Sequence, residues 1–296
     1  MPSVVAQIRT ANAVRSLKGE KKKKFSKPPK PFSTRNAERT YRSKLASARE
    51  PLFEFVRELL IRRLPEIARA AGVRSDGQLT LDVEPWVDSV RELMSDIRAR
   101  FGDQVREYER IAREAFDETS AKNLASLRKQ FRQALGVDVF VNDPTLAQDA
   151  QSFIEENVSL VTGADEQAMK EIENIVFRGY RSGRRSEFLA EEIEKRIGIS
   201  KRRANLIAID QVQKINGQLT RRRQTDLGLD RYIWRTVLDE RVRKEHRRRE
   251  GRVFSWDDPP PDGHPGEPIN CRCFAEPYLE DVLDEASSPP TPRLPR

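Results

Sequence analysis

Between residues 52 and 67 the apolar positions Leu52, Phe53, Val56, Leu59, Leu60, Leu64 and Ile67 return every three or four residues. That spacing places them on one stripe of a helix. Gly72 supplies a stop, and Pro65 predicts a kink, because its ring lacks an N–H and crowds the carbonyl four residues back. The same spacing resumes from Pro85 to Leu135 through Trp86, Val90, Leu93, Ile97, Phe101, Val105, Tyr108, Ala112, Ala115, Leu127 and Phe131. Gly102 weakens this run by about 1 kcal/mol relative to alanine. Thr119 and Asn123 place polar groups on its apolar stripe. The pattern predicts one bent helix or two placed end to end. An irregular link follows at Gly136, and Asp143 before Pro144 marks another helix start. Leu146, Phe153, Val158 and Val161 fit a helix that Gly163 ends, and Met169, Ile172, Ile175, Val176 and Tyr180 fit the next. Ser186 and Ser200 are placed to cap two further helices, with Gly198 and Gly228 as stops.

After Gly228 the period changes from about 3.6 to two. "RYIWRTVL" alternates as a strand, with Tyr232, Trp234 and Thr236 on one face, and "GRVFSW" is a second strand. The segment between them, "DERVRKEHRRRE", is densely charged. "DDPPPDGHPGEP" is a Pro/Gly loop and cannot be helix. The predicted fold class is α+β, predominantly α-helical: long N-terminal helices, then a compact C-terminal domain with a small β element. The predicted boundaries are a basic flexible arm over 1–40, a helical region over 41–135, the compact domain over 136–280 and a disordered tail over 281–296. A short helix in the arm would put Val4, Val5, Ile8 and Val14 on one face.

Charge narrows the class. The chain has 296 residues, 34% of them charged, a formal net charge of +8 and a pI of about 9.6. Such a field suits polyanions. The basic clusters are Lys21, Lys22, Lys23 and Lys24, then Lys201, Arg202 and Arg203, then Arg221, Arg222 and Arg223. Set against phosphates they would release counterions and bind DNA without sequence preference. An acidic protein partner would attract the same residues. No helix-turn-helix, zinc-finger or RNP pattern accompanies them. Two cysteines make no disulfide framework and fit a reducing compartment. No apolar run approaches the roughly 20 residues of a membrane span. The N-terminus has no continuous apolar stretch of the signal-peptide kind. The expectation is a chain made and folded in a cytoplasm.

The candidate chemistry gathers near the C-terminal end. Both histidines, His246 and His264, and both cysteines, Cys271 and Cys273, fall there. Zinc takes about four N or S ligands in a tetrahedron, and these residues supply four. The other reading is metal-free, with the small soft cysteines packed under the strands, and it is preferred on ligand spacing. A Cys-His-Asp nucleophile built from Asp239, His246 and Cys271 is a third arrangement.

The series "YIWRTVLDERVRKEH", "EGRVFSW" and "PGEPINCRC", preceded by "SKRRANLIAIDQVQKINGQ" and "RRQTDLGLDRYIW", resembles the Mu F-like minor head proteins of tailed bacteriophages, also called phage head morphogenesis proteins. The resemblance covers the 136–280 domain. It implies a minor capsid component at the portal vertex that aids head assembly, in the virion head and in the host cytoplasm during assembly. It implies portal, capsid or scaffold proteins as partners, contact with packaged DNA, no membrane and no general catalytic activity. The residues that carry it as a structural signature are Trp234, Asp239, Arg241, Arg243, Gly251, Pro265, Gly266 and Arg272. Similar proteins often carry C-x-x-C where this chain has Arg243 and His246, so Arg243 removes one ligand of a structural zinc site. Two other classes stay open: a stand-alone non-specific DNA-binding protein, and a toxin-like or cysteine-nucleophile enzyme.

Overall fold

The computed structural model describes residues 4–17, 29–70, 72, 84–102, 104–136, 138–140 and 146–287. Lys21 to Lys24, the expected start at Asp143 and Pro144, and residues 288–296 lie outside the described residues. The chain is α+β and predominantly helical. Its elements are α1 (Val4–Leu17), α2 (Arg35–Phe55), α3 (Leu64–Ala70), α4 (Glu84–Phe101), α5 (Gln104–Leu135), α6 (Ala147–Arg181), α7 (Ser186–Thr225), β1 (Arg231–Arg235), α8 (Lys244–Arg249), β2 (Val253–Ser255), β3 (Phe274–Pro277) and α9 (Glu280–Ser287).

The chain divides into two compact units. The first gathers Met1–Asn36, Asp117–Leu146 and Asp210–Arg296, and the second gathers Ala37–Phe116 and Ala147–Ile209. The predicted serial boundaries at 40, 135 and 280 do not coincide with this division, because α5 and α7 each contribute to both units.

In the second unit the predicted stripes are buried. Leu52, Phe53, Val56, Leu60, Leu64 and Ile67 turn inward, as do Trp86, Val90, Leu93 and Ile97. The deformation expected at Pro65 falls in the turns before it: a π turn at Val56–Leu60, then a 3-10 turn at Ile61–Arg63. An α-helical bond would have needed an N–H from Pro65, and Leu64 N–H bonds the Ile61 carbonyl in its place. The run from Pro85 to Leu135 is two helices, interrupted at Gly102. The stops expected at Gly163 and Gly198 are not there, since α6 and α7 run straight through. Across Gly163 the buried positions Val161, Ala164, Asp165, Ala168 and Ile172 keep the helical period. Their burial outweighs the glycine's cost of about 1 kcal/mol.

Ser200 is not a cap. It lies buried inside α7, where its Oγ accepts from Arg49 Nη2 at 2.7 Å. The same guanidinium is ion-paired to buried Asp165, with Nε at 2.9 Å from Oδ1. Tyr108 donates its hydroxyl to Asp165 Oδ2 at 2.9 Å. This network satisfies a buried charge pair with groups from four helices, which is the condition for burying one at all.

The first unit holds the sheet. Its strand order is β2-β1-β3, both pairings antiparallel. The helix expected near the N-terminus forms as α1, but not as part of a flexible arm. Val4, Val5 and Ile8 enter a core with Leu127, Phe131, Val139, Phe140, Leu229, Leu279 and Val282. Residues 280–287, which overlap the segment read as a disordered tail, form α9, whose Val282 joins the same core. Asn123, which interrupts the apolar stripe of α5, donates to Asn216 Oδ1 at 2.9 Å and Thr220 Oγ1 at 2.8 Å, and accepts from Arg223 at 2.7 Å. At Asn123 the polar break in the pattern is therefore a buried hydrogen-bond network.

Candidate functional site

β1 is the central strand, and its alternation decides what faces inward. Tyr232, Trp234 and Thr236 are buried, as the pattern predicts. Tyr232 and Trp234 meet Trp256, Ala275, Cys271 and Cys273 in a second core. β1 is locked to its edges by Arg235, whose guanidinium pairs with Glu276 on β3 at 2.9 Å and with Glu250 at 3.4 Å. Glu250 Oε2 also accepts the Thr236 N–H at 2.6 Å, and the Gly251 N–H returns to the Trp234 carbonyl at 2.8 Å.

The charged connection after β1 is a built turn. Asp239 Oδ1 accepts the backbone N–H of Arg241 at 3.1 Å, a local bond of the kind that shapes Asx turns. The Asp239 carbonyl accepts from Arg247 at 2.9 Å. Arg243 donates to the Ile269 carbonyl at 2.7 Å and so ties this turn to the segment before Cys271.

The short helix α8 turns one residue inward among its arginines: His246, 2% exposed. Its Nδ1 lies 3.6 Å from Cys271 Sγ and 3.4 Å from Cys273 Sγ. All three donor atoms lie within 4.8 Å of one another. Both thiols are free and buried. On the far side of the ring, Nε2 lies 2.8 Å from Asp262 Oδ2. Partial burial works against ionising Asp262, but hydrogen bonds from His246 and Arg249 prevail and hold its carboxyl below the ordinary value. An ionised carboxylate only accepts, so a neutral His246 ring carries its proton on Nε2 and aims the Nδ1 lone pair at the sulfurs. The Cys273 thiol beside Cys271 favours the Cys271 thiolate, and this outweighs the opposing effect of burial, so Cys271 is shifted down. Cys273 is shifted up by Cys271 beside it and by burial.

Three of the four expected ligands therefore meet, and the fourth does not. His264 Nδ1 faces the Tyr232 hydroxyl at 3.0 Å, and its ring packs on Trp256 with centroids 5.0 Å apart. Burial holds its pKa below the ordinary value. Asp239 is not the acid of a Cys-His-Asp arrangement either, since Asp262 occupies that place. Asp262 was missed because it sits in a Pro/Gly loop with no periodic relation to His246. The sequence offered no signal that separates it from Asp257, Asp258 and Glu267 in the same loop, "DDPPPDGHPGEP".

Pro265 and Gly266 seat that loop on α7. A Cβ on Gly217 would stand 2.8 Å from the Pro265 carbonyl oxygen. Gly266 has φ +96°, a conformation side chains rarely adopt, and its own Cβ would meet the Gln213 carbonyl at 3.1 Å. The backbones touch only because both are glycine. Arg272 lines a cavity of about 200 Å³ with Cys271, Cys273, Gln213, Asn216 and Thr236.

The basic clusters fare unevenly. Arg223 is buried and donates to the Ser120 carbonyl at 3.1 Å, so it is no phosphate contact. Its side chain serves the Asn123 network. Lys201 pairs with Glu50 at 2.7 Å, and Arg222 with Asp226 at 3.3 Å. Arg221 is exposed and reaches the Trp256 carbonyl at 3.1 Å. Arg202 and Arg203 are exposed.

A predominantly helical α+β chain with a Cys/His cluster at the edge of a three-stranded sheet is thus the class that fold and site define. Residues 170–276 match the family described as Phage Mu protein F like protein. An uncharacterized protein of Haemophilus influenzae is 30% identical over 183 residues, 60% of this chain and 41% of that relative. The match thus spans less than half of the relative's length. No solved structure matches the chain.

Proposed function

We propose that this protein is a minor head protein of a tailed bacteriophage, docking at the portal or procapsid and aiding head assembly. The observation that carries the reading is the Mu F-like match over 170–276. That stretch runs from the last part of α6 through all of α7, β1, α8 and β2 to β3, and it includes the Cys/His cluster. On this reading the protein acts by binding. Its partners are portal, capsid or scaffold proteins with acidic surfaces suited to a chain of net charge +8. Its place is the virion head near the portal vertex, reached from the host cytoplasm during assembly. Among the described residues no helix is long and apolar enough to cross a membrane.

The test is capture of the portal protein from the same genome by the purified full chain, at low and at high salt. Salt-resistant capture supports docking through a built interface. No portal capture, with salt-sensitive retention of DNA alone, overturns docking and favours the plain DNA-binding reading. One observation gives DNA contact a specific form: Arg202 and Arg203 stand exposed on adjacent positions of α7. Replacing both with Glu is expected to flatten the salt dependence of DNA retention. Arg223→Met is expected to lower stability without that signature.

A further inference from the structure

We infer that His246 Nδ1, Cys271 Sγ and Cys273 Sγ form a three-ligand site for a thiophilic divalent cation, zinc being the natural occupant. The site does not depend on the head-assembly reading. Four observations carry it. The first is spacing. A tetrahedral zinc ion lies about 2.0–2.1 Å from nitrogen and about 2.3 Å from sulfur, which sets N···S separations near 3.6 Å. The two observed separations are 3.6 and 3.4 Å. The second is the direction of the lone pair. A metal-bound histidine gives its other N–H to a carboxylate, which fixes the tautomer and the ring. Asp262 does this at Nε2, and Arg249 holds Asp262 in turn at 2.6 Å. The third is convergence. Both sulfurs turn toward one imidazole lone pair and also lie against each other. A cation would take both sulfurs as thiolates and the nitrogen together. The fourth is chemistry: two thiolates and an imidazole select zinc-like ions over magnesium or calcium, which want oxygen.

The protein supplies three ligands. His264 belongs to the Tyr232 and Trp256 packing and is not a fourth. The remaining position is open to water or an exogenous group entering from the cavity that Cys271 and Cys273 line. The ion would join α8, at His246, to the chain entering β3, at Cys271 and Cys273. It would act as a cross-link between segments that are 25 and 27 residues apart in sequence. Binding requires both thiols to give up protons, so metal uptake releases protons and weakens as pH falls.

The experiment uses the full chain with a tag that carries no histidine. Metal content is read by elemental analysis, and cobalt is exchanged in for its visible spectrum. Stoichiometric zinc, and a cobalt form with intense tetrahedral bands and thiolate-to-metal charge transfer, are expected. Cys271→Ser, Cys273→Ser and His246→Ala should each lose the metal, while His264→Ala keeps it. Asp262→Asn should keep the cobalt spectrum but weaken affinity about 10- to 100-fold. Should the variants misfold, the wild type alone still decides: thiol alkylation should be slow in the loaded protein and fast after chelation. The site is refuted if folded wild type holds no zinc, gives no tetrahedral cobalt spectrum and alkylates equally with and without chelator. Rapid alkylation of Cys271 alone in that case would point to the nucleophile arrangement.

Discussion

The most exposed test at the level of single residues lies in the second unit, in a charge pair that water does not reach. The side chains of Arg49 and Asp165 are 2% and 0% exposed. Such a pair holds only while each charge keeps its partners, and removing one leaves the other buried and uncompensated. Asp165→Ala is therefore expected to cost about 3–5 kcal/mol in denaturant unfolding. Replacing Arg49 and Asp165 together with apolar residues of similar volume should cost far less than either single change. Equal costs for the single and double variants would contradict the pair's role. Gly217 is the second test. A methyl group there meets the Pro265 carbonyl at 2.8 Å, and that atom is backbone, which cannot swing aside. Gly217→Ala should cost about 1–3 kcal/mol through overpacking and loosen the loop that carries Asp262. A stability within error of wild type would show that the loop moves freely. At this scale the sequence exposed residue types and concealed partnerships. His246, Cys271 and Cys273 were legible as ligand types near one another. Asp262 and the exclusion of His264 depended on where a Pro/Gly loop lands, and no periodicity encodes that.

At the level of elements the hydrophobic pattern was most informative where burial is one-sided. The stripes through Leu52 to Ile67 and Trp86 to Ile97, and the alternation of Tyr232, Trp234 and Thr236, turn inward as their spacing requires. It misled where a local signal met a longer tertiary one. Gly163 and Gly198 look like stops, yet both sit within continuous helices. β3 went unread because "FAEP" is short, holds no β-branched residue and ends in proline. It is a strand because it pairs with β1 and because Arg235 binds Glu276 across that edge. The glycine finding makes a prediction. A Cβ on Gly163 meets nothing within 4 Å, and one on Gly198 makes only an ordinary 3.7 Å contact with Arg202. Gly163→Ala should therefore stabilise by about 1 kcal/mol, the intrinsic preference of alanine in a helix, and raise the melting temperature. A loss of stability would mean that α6 is broken at Gly163 in solution.

Over the whole molecule the charge pattern and the buried polar groups pull in different directions. The surface is basic and densely charged, while each unit seals phenols inside. Burial, the largest influence in each case, raises Tyr41, Tyr108 and Tyr232 above the ordinary 10.0, and takes Tyr180 to about 12. At Tyr108 the neighbouring Asp165 carboxylate adds to the rise. The sign follows from proton counts. Above pH 10.0 the unfolded chain has ionised these phenols, and the folded chain still holds their protons. The folded state then binds more protons than the unfolded one, so stability falls as pH rises. Each such tyrosine contributes a slope of about 1.4 kcal/mol per pH unit between its unfolded and folded values. Tyr108→Phe isolates one of them. At neutral pH the variant should be less stable by about 1–2 kcal/mol, because Asp165 loses a hydrogen bond. Above pH 10 the wild type should decline more steeply than the variant, so the gap closes and then reverses. Denaturant unfolding at closely spaced pH values, with phenolate absorbance followed on the same samples, reads both quantities. Parallel decline of the two proteins would mean that the Tyr108 hydroxyl titrates as freely when folded as when unfolded, and that the network around Arg49 is open to water.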